Sequence, residues 1–266
     1  MSDFKKSILQ ITTLEELTQK KTPVHRLQPS VKLLITVIYL IAVISYSPYQ
    51  VSGLIPFIFY PIILMTLGEI PFKPLFQRIL IALPFTLFTG ISNLIFNKEI
   101  TLYVMNIGIT EGMISFCSIL LKTILTVMAV LILISTTSIN DLVYVMIGFR
   151  IPSIIVIQIM MTYRYINVLI GEISVMYHAY ILRAPKEKGI KLKDMGPFLG
   201  QLIIRSFDRA DRIYNAMKCR GFEGDILYAR KEMISTKSWI YIVTVGCLLI
   251  LMRLVNISEE IGKLLM

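Results

Sequence analysis

The sequence predicts an all-α polytopic membrane protein with about five transmembrane helices plus cytoplasmic helices. Three observations carry that reading. Apolar side chains make up 55% of the 266 residues and charged ones only 17%, against roughly a quarter charged in a soluble domain. The mean hydropathy is +0.72. The apolar residues also arrive in separate runs, several near the ~20 residues that cross a bilayer. This composition excludes a disordered chain, a secreted disulfide scaffold and a conventional soluble enzyme. The three cysteines (Cys117, Cys219 and Cys247) lie far apart and encode neither a disulfide framework nor a CxxC metal site.

The first 32 residues hold Lys5, Lys6, Lys20, Lys21, Arg26 and Lys32 but no apolar run of signal-peptide length. Thr13 and Glu16 form a capping box, with Thr13 as N-cap, which starts a short helix reaching about Gln19. Residues 33–46 are nearly unbroken apolar, and Val31 and Lys32 extend them to the interface. Residues 51–67 carry Pro56 and Pro61, which predicts a kinked span. Residues 79–96 contain Pro84 and Gly90. Residues 114–134 are interrupted only by Lys122, residues 154–170 form a fifth run, and residues 239–252 form the last.

Charge sets the topology. Of the 27 basic residues, 13 lie between residues 171 and 238, so that segment and the basic N-terminus read as cytoplasmic. The connections near residues 47–50 and 97–111 read as external. Four spans return the chain to the cytoplasm by about Ser135. A fifth crossing by 154–170 would put the basic segment outside, and Gln158, Tyr163, Arg164 and Asn167 make that run costly in lipid. Residues 154–170 are therefore expected to form a helix against the inner face. The competing topology has six spans and an inverted or weakly specified N-terminus. Three regions follow: 1–135, an N-terminal segment and four-helix membrane bundle; 136–237, cytoplasmic coupling helices; and 238–266, the final span and tail.

The basic region predicts two amphipathic helices. In 201–220, Ile203, Phe207, Ala210, Tyr214 and Met217 recur in steps of four and three, one apolar stripe. Arg205, Asp208, Arg209, Asp211 and Arg212 fall on the opposite, solvated face. The helix stops at Cys219-Arg220-Gly221, where Gly221 can take a left-handed conformation. A second helix over 172–183 shows Ile173, Met176, Tyr177 and Tyr180 on one face and is stopped by Pro185. Each helix ends in an arginine followed within two residues by a helix breaker. A guanidinium there sits at the negative end of a helix dipole and suits a carboxylate or carbonyl groove on a partner.

The run Ala216-Met217-Lys218-Cys219-Arg220-Gly221-Phe222 resembles the second coupling motif of the transmembrane T components of energy-coupling-factor (ECF) transporters. That motif centres on Ala-Arg-Gly; Arg220 and Gly221 match and Cys219 replaces Ala. Leu182-Arg183-Ala184 is similar to the first motif through Arg183, with Leu182 and Ala184 in place of a small residue and Gly. His25-Arg26-Leu27-Gln28-Pro29-Ser30-Val31-Lys32-Leu33 is similar to the family's N-terminal signature, Gln28 standing for the usual Asp. The stretches 180–185 and 205–210 look most like the cobalt-type, CbiQ-like members. The resemblance implies a non-catalytic scaffold in a bacterial or archaeal cell membrane. It implies two ABC-type ATPase subunits docked at residues 182–184 and 219–221. It also implies a membrane substrate-capture subunit for cobalt or nickel, or a module shared among vitamin-capture subunits. ATP and magnesium would then be bound by the partners, with no cofactor in this chain.

Other candidate sites resolve to ordinary roles. Asp208 and Asp211 are an acidic pair that Arg205, Arg209 and Arg212 neutralise. His25 and His178 are scattered and form no metal site. Lys122 within its span is a candidate functional residue of the bundle, or else a lysine that snorkels or pairs there. The 14 methionines read as packing. No GxxxxGK[ST] pattern occurs. A membrane-embedded enzyme would need converging His, Asp or Glu in the spans, and a secondary transporter would show inverted repeats; the sequence has neither. Nucleic acid is not an expected partner.

Overall fold

The computed structural model describes residues 18, 20, 22–96, 100–104, 107–149, 151–185, 189–224 and 235–254. The N-terminal helix expected from the Thr13 capping box lies outside the described residues. Two compact units emerge. One comprises the described parts of Ile8–Leu142 and Glu232–Met266, the other those of Val143–Lys231.

The first unit is the helical bundle of a polytopic membrane protein. Helix α1 (Pro29–Ile44) begins with Pro29 in its first turn, where the missing N–H is no loss. The second run changes helix type between its two prolines. Residues Ser52–Ile58, with Pro56 inside, wind as a 3₁₀ helix before α2 (Phe59–Gly68) takes over. Helix α3 (Phe72–Phe96) starts seven residues earlier than its apolar run, because Pro74 in the opening turn is tolerated there. Helix α4 (Glu111–Thr136) is the longest of the bundle. Helix α8 (Thr236–Leu254) completes it.

Hydrogen bonds fix the helix directions. Lys32 Nζ donates to Thr136 O (2.7 Å) at one end of the bundle, and Lys122 Nζ donates to Tyr46 O (2.6 Å) at the other. Helices α1 and α4 are therefore antiparallel. Tyr46 OH donates to Met252 O (3.2 Å), so the C-terminal ends of α1 and α8 lie together. Asn93 Nδ2 donates to Ser115 Oγ (2.9 Å), closing α3 and α4 into an antiparallel pair. Val31, Ile35, Tyr39 and Val43 of α1 bury against Leu54, Phe57, Leu125 and Leu249. The Tyr39 hydroxyl, fully buried, donates to Phe57 O (2.9 Å), and its ring stacks on Tyr60 at 4.5 Å. Buried polar groups with partners are what a lipid-embedded core demands.

Two elements depart from the sequence reading. The connection between α3 and α4 carries a β-hairpin, β1 (Ile100–Val104) paired antiparallel with β2 (Ile107–Thr110). Ile, Thr, Val and Tyr, residue types that favour strands, make up most of both segments. After α4, Ser138 opens a helix α5 (Ile139–Gly148) that hydropathy alone did not reveal. The Ser138 hydroxyl accepts from Asp141 N–H (3.1 Å) and donates to Asp141 Oδ2 (2.7 Å), a cap at the start of the helix.

In the second unit, the run 154–170 and the helix expected over 172–183 are one continuous helix, α6 (Ser153–Arg183). Gly171 does not break it. At about 1.5 Å per residue, its 31 residues span ~46 Å. Helix α7 (Leu192–Cys219) begins nine residues before the expected start and includes Pro197. By length and apolarity α3, α4 and α6 reach the size of a full membrane span; α1, the Ser52–Gly68 segment and α8 are shorter apolar helices.

Candidate functional site: the α6–α7 hairpin and its arginine ends

Helices α6 and α7 form an antiparallel hairpin held by polar contacts. Glu172 on α6 accepts from Arg205 Nη1 (2.7 Å) and from Arg209 Nη2 (3.5 Å) on α7. The Arg205 hydrogen bond holds the Glu172 carboxyl below the ordinary carboxylate range, and the nearby charges of Arg205, Arg209 and Arg212 add to it. Near the turn, Tyr180 OH donates to Asp194 Oδ2 (2.7 Å) and accepts from Lys191 N–H (3.4 Å). At the other end, Ser153 Oγ donates to Gly224 O (3.4 Å). Both ends of the hairpin are thus tied.

This packing corrects the expected faces of α7. The stripe of Ile203, Phe207 and Tyr214 is exposed, with Phe207 at 69%. The partly covered residues include Phe198, Leu202, Ser206, Arg209, Ile213 and Met217, a face rotated by about 90° from the stripe at ~100° per residue. Arg209, expected on the solvated face, belongs to the packed one. Most of that face is apolar, and Arg209 belongs to it because it pairs with Glu172 of α6. No residue of α7 is buried.

Both arginine motifs have the terminal geometry the sequence predicts. Arg183 is the last residue of α6; Ala184 caps it with φ −129° and ψ 67°, and Pro185 follows. Arg220 is the C-cap of α7. Gly221 takes φ +76°; its N–H bonds Lys218 O (3.0 Å), while Phe222 N–H bonds Met217 O (3.1 Å). That pair of bonds is a complete Schellman motif, which a residue with a Cβ would strain. Arg183 and Arg220 are exposed and engage no side chain among the described residues, as do their neighbours Leu182, 82% exposed, and Cys219. The structure does not bring the two motifs together. Arg183 sits beside the start of α7 and Arg220 at its far end, ~42 Å away along a helix of 28 residues.

The chain matches the sequence profile of the cobalt transport protein family, CbiQ, over residues 20–232. This chain belongs to the CbiQ family. As a CbiQ-family membrane protein it is 25% identical over 235 residues to an uncharacterised protein of Methanocaldococcus jannaschii, covering 84% of this chain and 79% of the relative. It is also similar to two proteins named energy-coupling factor transporter transmembrane protein EcfT. The one from Streptococcus equi subsp. equi is 23% identical over 256 residues, 86% of this chain and 92% of the relative. The one from Clostridium kluyveri is 28% identical over 221 residues, 76% and 80% respectively.

Within the CbiQ-family bundle, Lys122 is a trans cap. Its ammonium bonds the carbonyl of Tyr46 just past the end of α1, at the negative end of that helix. Of the two readings of Lys122, a functional residue or one that snorkels or pairs, this contact supplies a pairing and leaves the functional one a proposal. At the opposite end of the bundle, Lys32 donates to His25 O (3.0 Å) as well as to Thr136 O. His25 Nε2 donates to Ser135 O (3.3 Å), which leaves Nδ1 to accept from the Thr22 hydroxyl (2.6 Å). The N-terminal signature thus binds residues 22–32 to the last turn of α4, next to the joint with α5. Sequence spacing gave no sign of this clasp, because its partners lie over 100 residues apart. Among the described residues no cluster of three His, Cys, Asp or Glu could hold a metal.

Proposed function

We propose that this chain is the transmembrane coupling subunit of an energy-coupling-factor importer, serving cobalt or nickel uptake. The observation that carries the reading is the pair of exposed arginine ends at opposite ends of one α-hairpin. Two ATPase subunits would each receive one end. Arg183 with Leu182, and Arg220 with the Gly221 turn, would insert a charged tip and adjoining apolar surface into a groove on each ATPase. Arginine is one of the residue types enriched among interface hot spots. Closure of the ATPases on ATP would move the two ends relative to each other, and the hairpin would pass that motion to the bundle and to a capture subunit.

In this reading α5, α6 and α7 would lie on the cytoplasmic side, with residues 154–170 not crossing. Two facts support it. The C-terminal end of α4 and the N-terminal end of α8 lie at the same end of the bundle, so the segment between them leaves and rejoins it there. That arrangement asks for an even number of crossings, and α7 is too polar to supply one. Helix α6 also carries Arg164 and Glu172, which lipid disfavours.

A tagged chain isolated from its own membranes tests the proposal. Two ABC-type ATPase subunits and a small membrane protein should co-purify, and deletion of the gene should abolish uptake of radioactive cobalt or nickel. Recovery without any ATPase would overturn it. A second reading, a coupling subunit not tied to a metal, is favoured by the two EcfT relatives, whose names carry no metal. Intact metal uptake with lost vitamin uptake in the deletion strain would select it.

A further inference from the structure

At the end of the bundle where α1 and α8 finish together, two cations gather on successive carbonyls. Lys122 Nζ donates to Tyr46 O (2.6 Å), and Arg253 Nη2 donates to Ser45 O (3.1 Å) and Ser45 Oγ (3.2 Å). The Arg253 guanidinium also lies over the Tyr46 ring, 4.3 Å from its centroid. That ring is a fixed floor. It is 3% exposed, packs edge-on against Phe57 at 5.6 Å, and lies so close to Gly53 that a Cβ there would collide with it. Among the described residues no carboxylate pairs with either cation; the ion pairs present are those of Glu172. Each cation keeps further N–H donors beyond its carbonyl contacts.

Helix length says what medium they meet. Helix α1 has 16 residues, ~24 Å, against ~30 Å for the hydrocarbon core. Helix α4 continues eleven residues past Lys122 to Glu111, ~16 Å further. The bundle is therefore stepped, short at α1 and long at α3 and α4. A short side draws the headgroup layer inward, and two cations with no carboxylate partner among the described residues supply the attraction at the step.

We propose that Lys122 and Arg253 form a site for the phosphate of an anionic phospholipid, its charge balancing theirs at the α1 carbonyl end. The site is independent of the transport reading above, because its readout is lipid binding.

Native mass spectrometry of the purified chain with phosphatidylglycerol or phosphatidylcholine tests it. The wild type should retain phosphatidylglycerol preferentially. Arg253→Gln should weaken that preference about fivefold, the attraction of one basic side chain near charged headgroups, and adding Lys122→Met should remove it. Arg253→Lys keeps the charge and should keep the preference, which separates lost binding from lost folding. Tyr46→Phe should also bind normally. Equal retention of the two lipids by the wild type, or an undiminished preference in Arg253→Gln, would overturn the proposal. Displacement of the lipid by millimolar inorganic phosphate would overturn the lipid assignment in favour of a free-anion site.

Discussion

The bundle and the α6–α7 hairpin are both helical, yet they are held by different forces. In the bundle, Ile35, Tyr39, Leu54, Phe57 and Leu249 are fully buried and their polar atoms are bonded inside. In the hairpin, α7 buries nothing and α6 buries only Val156 and Ile157. Its helices meet through Glu172, Arg205, Arg209, Tyr180 and Asp194, side chains that are partly solvated. Close packing resists displacement by fractions of an ångström, whereas exposed ion pairs each contribute little. A close-packed bundle and a hairpin joined by partly solvated polar contacts are the mechanical division that the proposed coupling role requires.

The sharpest way to break this contrast is the same truncation in each unit. Phe57→Ala should destabilise the bundle by about 3–5 kcal/mol through a buried cavity, seen as loss of folded protein in thermal scans in detergent. Phe207→Ala, at an exposed site, should change unfolding by no more than about 0.5 kcal/mol. Similar losses at both positions would show that α7 is covered as tightly as the bundle core.

Lys32→Ala comes next. It leaves the His25 and Thr136 carbonyls without their donor, a cost of about 1–3 kcal/mol. Hydrogen exchange should rise at the last turn of α4 and the start of α5, and remain unchanged near Lys122. A smaller effect is expected of Gly221→Ala. The site has open space for a Cβ, so only the left-handed backbone is strained, by about 1–2 kcal/mol. Fraying should be confined to the last turn of α7.

The smallest effect is on pH. Glu172 has a lowered pKa in the folded hairpin, so its stabilising contribution is complete above the unfolded carboxylate value of about 4.3. It is lost as pH falls through the lower folded value. A cysteine pair reporting hairpin closure should therefore be constant from neutral pH down to about 5 and open only in stronger acid. Glu172→Gln should remove that step. High salt should mimic it weakly.

Much of the bundle was legible because lipid imposes long apolar runs, and its prolines marked the 3₁₀ segment at Pro56. The arginine ends were legible too, because Pro185 and Gly221 punctuate their helices locally. What sequence could not supply was partnership. The periodicity of α7 identified an apolar stripe, but the place of Arg209 against α6 was set by Glu172, some thirty residues away on another helix. Residue 171 resembled a helix end, yet a lone glycine in a long helix costs only about 1 kcal/mol and α6 runs through it. The Lys122 contact depended on where α1 stops, which only the fold determines.

The central claim is that Arg183 and Arg220 each hold a different ATPase subunit. The direct measurement is the number of ATPase copies that co-purify with single-charge reversals. Arg183→Glu and Arg220→Glu should each reduce two copies to one, since removing a buried charge partner from an interface costs roughly 2–5 kcal/mol, and the double variant should retain none. Arg212→Glu, exposed on the same hairpin, should keep two. Full retention of both copies by Arg183→Glu and Arg220→Glu, indistinguishable from Arg212→Glu, would contradict the account.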